Sequence, residues 1–191
     1  MHKKYELTDE TRKWYGHTLH RIRALADFKD VKAGDLGGWI EKEENLSHDG
    51  DGWVYGNAQV CGDAQVCGNA QVCGNARVCG DAWIYGNAWI YGNARVYGNA
   101  RVYGNAQVCG DAEICKTEDY FTAGPIGSRN DTITFFRCKD GKIRAATGCF
   151  RGDLEQLEAA VRSTHKGSHH AQVYLLVIAA AKAQIGADQN V

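Results

Sequence analysis

Two short segments near the C-terminus combine glycines, a small polar side chain and an arginine. They are Gly127–Asn130, which reads Gly-Ser-Arg-Asn, and Gly148–Gly152, which reads Gly-Cys-Phe-Arg-Gly. This combination suits phosphate, because the N–H groups of a tight turn can point at an anion and a guanidinium can bind it through two parallel hydrogen bonds. The second segment also precedes a predicted helix, whose first N–H groups favour negative charge.

The chain around these segments is basic. Residues 129–151 contain six basic and two acidic residues, although the whole chain has a formal net charge of −1. We therefore predict that this region binds a small anionic ligand such as a nucleotide. The predicted ligand-binding residues are Gly127, Ser128, Arg129, Asn130, Thr134, Arg144, Cys149, Arg151 and His165. The alternative is that the glycines only form tight turns and the arginines pair with Asp131 or Glu155.

Catalysis by these residues would need a nucleophile and a base. Cys149 stands before a helix, where a thiol pKa can be lowered, and His165 is a candidate base. Their separation in sequence permits contact but does not predict it, and a packed or exposed unreactive thiol is the alternative. The Gly-x-x-x-x-Gly-Lys-Ser/Thr motif of P-loop enzymes is absent. We predict no catalytic residues, no metal and no cofactor.

A six-residue repeat precedes this region and must position it. Aliphatic residues recur every sixth position without a gap, at Val54, Val60, Val66, Val72, Val78, Ile84, Ile90, Val96, Val102, Val108 and Ile114. Each unit continues with Tyr or Cys, Gly, Asn or Asp, and Ala. A β-branched residue favours a strand, and Gly-Asn favours a turn with positive φ. The period therefore predicts a β-solenoid.

This repeat resembles the hexapeptide repeat of left-handed parallel β-helix proteins, whose best-known members are trimeric acyltransferases. The resemblance implies three hexads per coil, so residues 18 apart should stack at about 4.8 Å. Val or Ile and Ala should point inward, and the residues flanking each Val or Ile outward. Asparagines at the corners should then form hydrogen-bonded ladders.

Aromatic and thiol side chains occupy the predicted outer columns. Since such residues are unusual on a wet surface, we expect other chains or the C-terminal segment to cover some faces. We predict a homo-oligomer, by family resemblance a homotrimer, with an interface containing Trp83, Tyr85, Trp89, Tyr91, Tyr97 and Tyr103. The alternative is that these ladders stabilise strand stacking on an exposed face.

Open solenoid ends need caps. The predicted organisation is an N-terminal β cap at 1–34, the β-helix at 35–116 and a C-terminal ββαα module at 117–191. The cap contains a strand at 17–25. The module contains a hairpin over 132–147, a helix from an Asp153 N-cap to about Thr164 and a buried helix over about 169–185. The fold class is thus mainly β.

Both ends carry further resemblances. The segments Asp-Val-Lys-Ala-Gly, Gly-Gly-Trp and Gly-Trp-Val-Tyr within the first 60 residues resemble an uncharacterised enterobacterial family assigned as acetyltransferases. The segments Gly-Ser-Arg-Asn, Thr-Phe-Phe, Gly-Cys-Phe-Arg-Gly and Thr-His resemble a C-terminal module of small phage and prophage proteins. Acyl transfer usually needs a histidine base, yet the sequence has none between His48 and His165. We therefore predict a protein that is not an enzyme.

These observations predict a non-catalytic, oligomeric, phage-type binding protein that sequesters a nucleotide immune signal as counter-defence. A structural or protein-interaction scaffold is the first alternative, and an acyltransferase-like enzyme is the second. Stacked Arg77 and Arg95 could grip a single strand of nucleic acid, but the net charge of −1 argues against it. Without an apolar leader or a run of about 18 apolar residues, the expected location is the cytosol, where the cysteines stay thiols.

Overall fold

The computed structural model describes residues 3–186. Its β-strands and α-helices follow one another in the order β1 (Tyr5–Trp14), β2 (His17–Ala24), β3 (Leu36–Ile40), β4 (Trp53–Val54), β5 (Gln59–Val60), β6 (Gln65–Val66), β7 (Gln71–Val72), β8 (Arg77–Val78), β9 (Trp83–Ile84), β10 (Trp89–Ile90), β11 (Arg95–Val96), β12 (Arg101–Val102), β13 (Gln107–Val108), β14 (Glu113–Ile114), β15 (Tyr120–Ile126), β16 (Asp131–Arg137), β17 (Ile143–Thr147), β18 (Phe150–Asp153), α1 (Leu154–His165) and α2 (His169–Gly186).

The hexads form a parallel β-solenoid of about four coils. Every third hexad pairs in register, so that Gln71 lies beside Trp89 and Val72 beside Ile90. Three parallel ladders result, with the strand orders β3-β5-β8-β11-β14, β4-β7-β10-β13 and β6-β9-β12. The predicted solenoid with three hexads per coil is confirmed.

The interior of the solenoid is filled by the aliphatic and alanine positions. Val78 and Ala76, for example, have no exposed surface. Complete burial of a valine side chain contributes about 1.5–3 kcal/mol. Gly92 illustrates two reasons for glycine at a corner of the solenoid. Its φ is +73°, and a Cβ there would lie 2.9 Å from the backbone nitrogen of Gly110 in the next coil.

Asparagine ladders run along two corners of the solenoid, as predicted. Asn69 Nδ2 donates to Asn87 Oδ1 at 3.1 Å, and Asn87 Nδ2 donates to Asn105 Oδ1 at 3.1 Å. On another corner, Asn93 receives a bond from Asn75 and donates to Asp111 Oδ1, each at 3.3 Å. These side chains satisfy one another where consecutive coils bring identical groups together.

The N-terminal segment closes the first coil. β1 and β2 form an antiparallel hairpin, and β2 pairs with β3, so the hairpin extends one ladder of the solenoid. Tyr5 and Ile22 are fully buried against the first coil. The predicted strand at 17–25 is confirmed as β2, and β1 is a strand that the sequence analysis did not predict.

Two similar turns stand at opposite ends of the solenoid. Each is a short 3-10 helix after a strand of the same ladder, at Glu43–Asn45 and at Thr117–Asp119, and each ends on a buried polar residue. Asn45 Oδ1 accepts from the N–H groups of Glu41 and Lys42. Asp119 Oδ2 accepts in the same way from Cys115 and Lys116.

Position 45 carries an amide and position 119 a carboxylate, because the second polar atom of each side chain has a different kind of partner. Asn45 Nδ2 donates to the carbonyls of Gly62 and Ala64 in the following coil, at 3.0 and 2.8 Å. Asp119 has no following coil, and its Oδ1 accepts from Arg137 Nε at 3.1 Å. Although burial raises the pKa of Asp119, hydrogen bonds from Cys115, Lys116 and Arg137 bring it below its ordinary value.

The C-terminal module covers the last coil with a four-stranded antiparallel sheet, β15-β16-β17-β18. Phe136 and Ala146 contribute to the solenoid core, whereas Phe135 and Ala145 pack with the helices. The sheet therefore lies between the solenoid and α1 with α2. The structure adds two strands, β15 and β18, to the predicted ββαα arrangement.

Both predicted helices are present. Asp153 Oδ1 accepts from the Gln156 N–H at 2.8 Å and Gln156 Oε1 from the Asp153 N–H at 3.0 Å, which confirms the predicted capping residue. The expectation that α2 is buried on most sides is wrong. Only one side packs inward, and Leu176 is 71% exposed, because the sheet offers a single face to the helix pair. Within residues 3–186, neither helix has the length and hydropathy that a membrane crossing requires.

The turn at Asn45 gives a stability prediction. Replacing Asn45 by Asp should lower the free energy of unfolding by about 1–3 kcal/mol, because two carbonyls lose their donor and face a carboxylate. Urea denaturation would measure this change. The control is Asn57→Asp on the exposed surface, which should change the value by less than about 0.5 kcal/mol. Equal effects of the two substitutions would contradict the role assigned to Asn45.

Candidate functional site

The module sheet brings the two glycine-flanked turns to the same edge. β16 and β17 are antiparallel neighbours in which Thr134 pairs with Ala146, so the start of β16 lies beside the end of β17. A Cβ on Gly148 would lie 3.6 Å from Asp131 Oδ2 and 3.8 Å from Arg129 Nη1. We call this region, Gly127–Asp131 with Gly148 and Cys149, the two-turn edge.

Both turns depend on positive φ angles. Gly127 has a φ of +71°, Asn130 of +51° and Gly148 of +49°. The Asn130 N–H donates to the Gly127 carbonyl at 3.3 Å, which closes the first turn. Glycine and asparagine adopt this conformation most readily, so the residue types at these positions are explained by the backbone alone.

Aromatic contacts connect the helices to the two-turn edge. The Tyr174 ring stacks on the His165 ring, with centroids 5.5 Å apart and an interplanar angle of 18°. A Cβ on Gly127 would lie 2.4 Å from Tyr174 Oη, so the hydroxyl occupies the space beside the first turn. Burial raises the Tyr174 pKa, and the Asp131 carboxylate adds to this effect. Sequence analysis missed Tyr174, because it lies within an apolar helix and carries no local motif.

Among the residues that the structure describes, Arg129 places an unpaired positive charge at the two-turn edge. Its side chain is exposed, and it forms no hydrogen bond or ion pair within the part of the chain that the structure describes. Asp131 lies nearby, and one of its oxygens accepts from the N–H of Thr132 at 2.7 Å. The edge therefore offers one free guanidinium beside two tight turns.

Arg151 points from the module to the solenoid. Its Nε donates to Tyr91 Oη at 2.6 Å, and its Nη2 donates to Gln107 Oε1 at 2.8 Å. Its Nη1 donates to the Gly148 carbonyl at 2.8 Å. These contacts give Arg151 a role in joining module and solenoid, and they occupy the guanidinium that sequence analysis assigned to ligand binding.

Two other predicted ligand residues lie away from the edge. Arg144 donates to both oxygens of Asp140 at 3.0 and 2.7 Å, and this pairing is the main cause that raises its pKa. Thr134 is fully buried, and its Oγ1 accepts from the Gln107 N–H at 2.9 Å. Of the predicted set, the residues that the edge gathers are Gly127, Ser128, Arg129, Asn130 and Cys149, with His165 behind Tyr174.

The nucleophile and base that sequence analysis considered are not joined. Cys149 is exposed, and the structure shows no hydrogen bond from it to His165 within residues 3–186. His165 instead stacks on Tyr174 and lies 5.8 Å from the His170 ring. In the same residues, no three His, Cys, Asp or Glu side chains are grouped as they would be around a metal ion.

The aromatic residues of the outer columns differ in how far the C-terminal module covers them. Arg151 of the module lies over Tyr91, whereas Trp83, Trp89 and Tyr103 remain 40%, 42% and 45% exposed. Tyr85 stacks on Tyr103 with centroids 5.2 Å apart, so these rings form a ladder on the β6-β9-β12 face. Within this single chain, the C-terminal segment covers part of the aromatic surface and leaves the rest accessible.

The fold and these surfaces define a parallel β-solenoid of hexapeptide repeats that carries a C-terminal α+β module. The family model of the YdcK beta solenoid repeat matches residues 70–86, 88–104 and 94–110. The protein named "Uncharacterized acetyltransferase YdcK" of Escherichia coli (strain K12) is 38% identical over 61 residues, which cover 28% of this chain and 19% of that relative. The predicted resemblance to an enterobacterial family is confirmed by these matches. The match spans about a fifth of the relative's length.

The position of Arg151 gives a second stability prediction. Arg151→Ala should lower the free energy of unfolding by about 1 kcal/mol, because Tyr91, Gln107 and the Gly148 carbonyl lose their donor. Arg162→Ala on the exposed side of α1 should change it by less than about 0.5 kcal/mol. Urea denaturation compares the two variants. If Arg151→Ala is as stable as Arg162→Ala, the guanidinium does not join the module to the solenoid.

Proposed function

We propose that this protein is a non-catalytic binding protein whose two-turn edge holds a small anionic ligand. The observation that carries the proposal is the convergence of two tight turns on one side of the module, with the Arg129 guanidinium free beside them. A guanidinium recognises phosphate through charge-assisted hydrogen bonds. Tyr174 and His165 add flat ring surfaces, on which a nucleotide base can stack.

In this proposal the solenoid is a rod that assembles copies of the module. Trp83 and Tyr103 are exposed on the β6-β9-β12 face and Trp89 on the β4-β7-β10-β13 face, and buried aromatic residues are enriched in interfaces between proteins. We propose a homo-oligomer, specifically a homotrimer, in which these rings lie between copies. The protein would then act in the cytosol as a phage-encoded counter-defence protein that sequesters a nucleotide immune signal.

A second candidate function is a scaffold that presents its aromatic ladders to another protein. The exposure of Trp83, Trp89 and Tyr103 favours it equally well. In this case the two-turn edge would be a structural turn pair, and substitution of Arg129 would leave partner binding unchanged. The two candidates differ in whether Arg129 matters.

A third candidate function is acyl transfer, which the resemblance to hexapeptide-repeat proteins and the name of the E. coli relative both suggest. That chemistry needs a base that can take a proton from the acceptor. The hexads from Val54 to Ile114 contain no histidine, and the regular strand pairing leaves no inserted loop between coils. A titration with acetyl-CoA tests this third candidate directly.

Calorimetry with a panel of nucleotides tests the proposed site. Cyclic dinucleotides, cyclic mononucleotides and ADP-ribose derivatives are titrated into the full chain, and we expect saturable heat with at least one class. Arg129→Gln should weaken that binding at least tenfold, about 1.4 kcal/mol, because the charged hydrogen bonds are lost. Arg162→Gln, which changes an exposed arginine on α1, should bind within twofold of the natural protein. Flat traces with the whole panel would contradict the proposed function.

A further inference from the structure

A second basic groove lies on the solenoid, apart from the two-turn edge. It has a volume of about 260 Å³ and is lined by Arg77, Arg95 and Lys139, with Asn75, Asn93 and Glu113 around them. Arg77 and Arg95 belong to consecutive coils, whereas Lys139 comes from the C-terminal module. We call this region the stacked-arginine groove.

Arg77 and Arg95 lie directly one above the other. They are register partners in the β8–β11 pair, so their side chains leave the same face one strand spacing apart, about 4.8 Å. Like charges placed directly opposite each other on neighbouring strands are destabilising. An anion between the two guanidinium groups would turn this repulsion into two attractive contacts.

Two carboxylates, Asp111 and Glu113, also line the groove. Neither arginine forms an ion pair within residues 3–186. Glu113 follows Arg95 in the ladder, yet its carboxylate acts on Tyr97, whose pKa is raised to about 12 by burial and then by Glu113. Asp111 Oδ1 accepts from Asn93 Nδ2 at 3.3 Å. The groove thus holds three cationic and two acidic side chains, and its formal charge is +1.

The positive charges of Arg77 and Arg95 also act on the thiol of Cys79, which lies beside them. Cys79 follows β8 on the same side as Arg77, and its pKa is lowered to about 7. A hydrogen bond from Cys61 is the first cause, and the positive charges of His17, Arg77 and Arg95 add to it.

Lys139 is held at the end of the groove by the backbone. Its N–H donates to the Asp111 carbonyl at 3.0 Å, next to the bridge between Ala112 and Cys138. The ammonium is exposed and carries a third positive charge to the two arginines. The groove is therefore complete only where the module covers the last coil.

We propose that the stacked-arginine groove binds a small multivalent anion of the phosphate class, either phosphate or a diphosphate group. Three cations from the solenoid and the module converge on it, and arginine guanidinium groups suit phosphate oxygens. A volume of about 260 Å³ is below the usual range of small-molecule sites, roughly 300–1,000 Å³, so the groove fits a phosphate or diphosphate group better than an entire nucleotide. This site is independent of the two-turn edge.

Calorimetry with inorganic pyrophosphate tests the groove. The full chain is titrated in a phosphate-free buffer of low ionic strength, and saturable binding is expected. Arg95→Gln should weaken it at least tenfold, and Lys139→Gln at least threefold, because each removes one of the converging charges. Arg101→Gln is the matched control, since Arg101 lies over Trp83 on another face, and it should bind within twofold. No binding by the natural protein, or equal affinities of Arg95→Gln and Arg101→Gln, would overturn the proposal.

Thermal denaturation provides a second readout. Pyrophosphate should raise the Tm of the natural protein and of Arg101→Gln but not that of Arg95→Gln, because a ligand stabilises only the folded state that binds it. The tenfold loss in Arg95→Gln should persist in an Arg129→Gln background, where the two-turn edge lacks its guanidinium. If Arg129→Gln loses pyrophosphate binding and Arg95→Gln keeps it, the anion binds at the two-turn edge and the groove proposal fails, while the proposed function stands.

Discussion

Each hexad strand of the solenoid is only two residues long, and its backbone groups find their partners in the coils above and below. Trp89, for example, pairs with Gln71 on one side and with Gln107 on the other. A strand this short has no stability alone, so the stack persists because every coil satisfies its neighbours. The 18-residue register is therefore the constraint on which the other features depend.

This register converts the sequence into columns of like residues. Valine, isoleucine and alanine fill the interior, glycines such as Gly92 stand where the next backbone approaches closely, and asparagines bond in ladders at the corners. The same rule stacks Arg77 on Arg95 and Tyr85 on Tyr103. The stability and the outer surface of the solenoid thus have one origin, since the repeat that forms the rod also aligns its outer side chains.

At the two ends of the solenoid, some hydrogen-bond partners do not come from the 18-residue register. At the first coil, Asn45 donates to carbonyls of the next coil, whereas at the last coil Asp119 accepts from Arg137 of the module. The module then attaches through Gln107, Arg151 and the backbone of Lys139. These contacts close an edge that would otherwise be free to pair with another chain.

The sequence predicted the features that depend on nearby residues or on the six-residue period. It predicted the coil register, the inward and outward faces, the β16–β17 hairpin and the capped start of α1, because each depends on neighbours or on a fixed spacing. It did not predict β15 and β18, nor the contact of Arg151 with Tyr91, which lies 60 residues away in sequence. That contact depends on how the module sheet settles on the last coil, and no spacing rule encodes it. Tyr174 was missed for the same reason.

We propose that a solenoid rod assembles several copies of an anion-binding module, and native mass spectrometry of the protein purified from the organism that makes it can show this assembly. We expect a homo-oligomer that retains a small phosphate-containing molecule, which leaves as a defined mass when the complex is activated. A monomer of 20.9 kDa without any retained ligand, observed at the protein's working concentration, would contradict it.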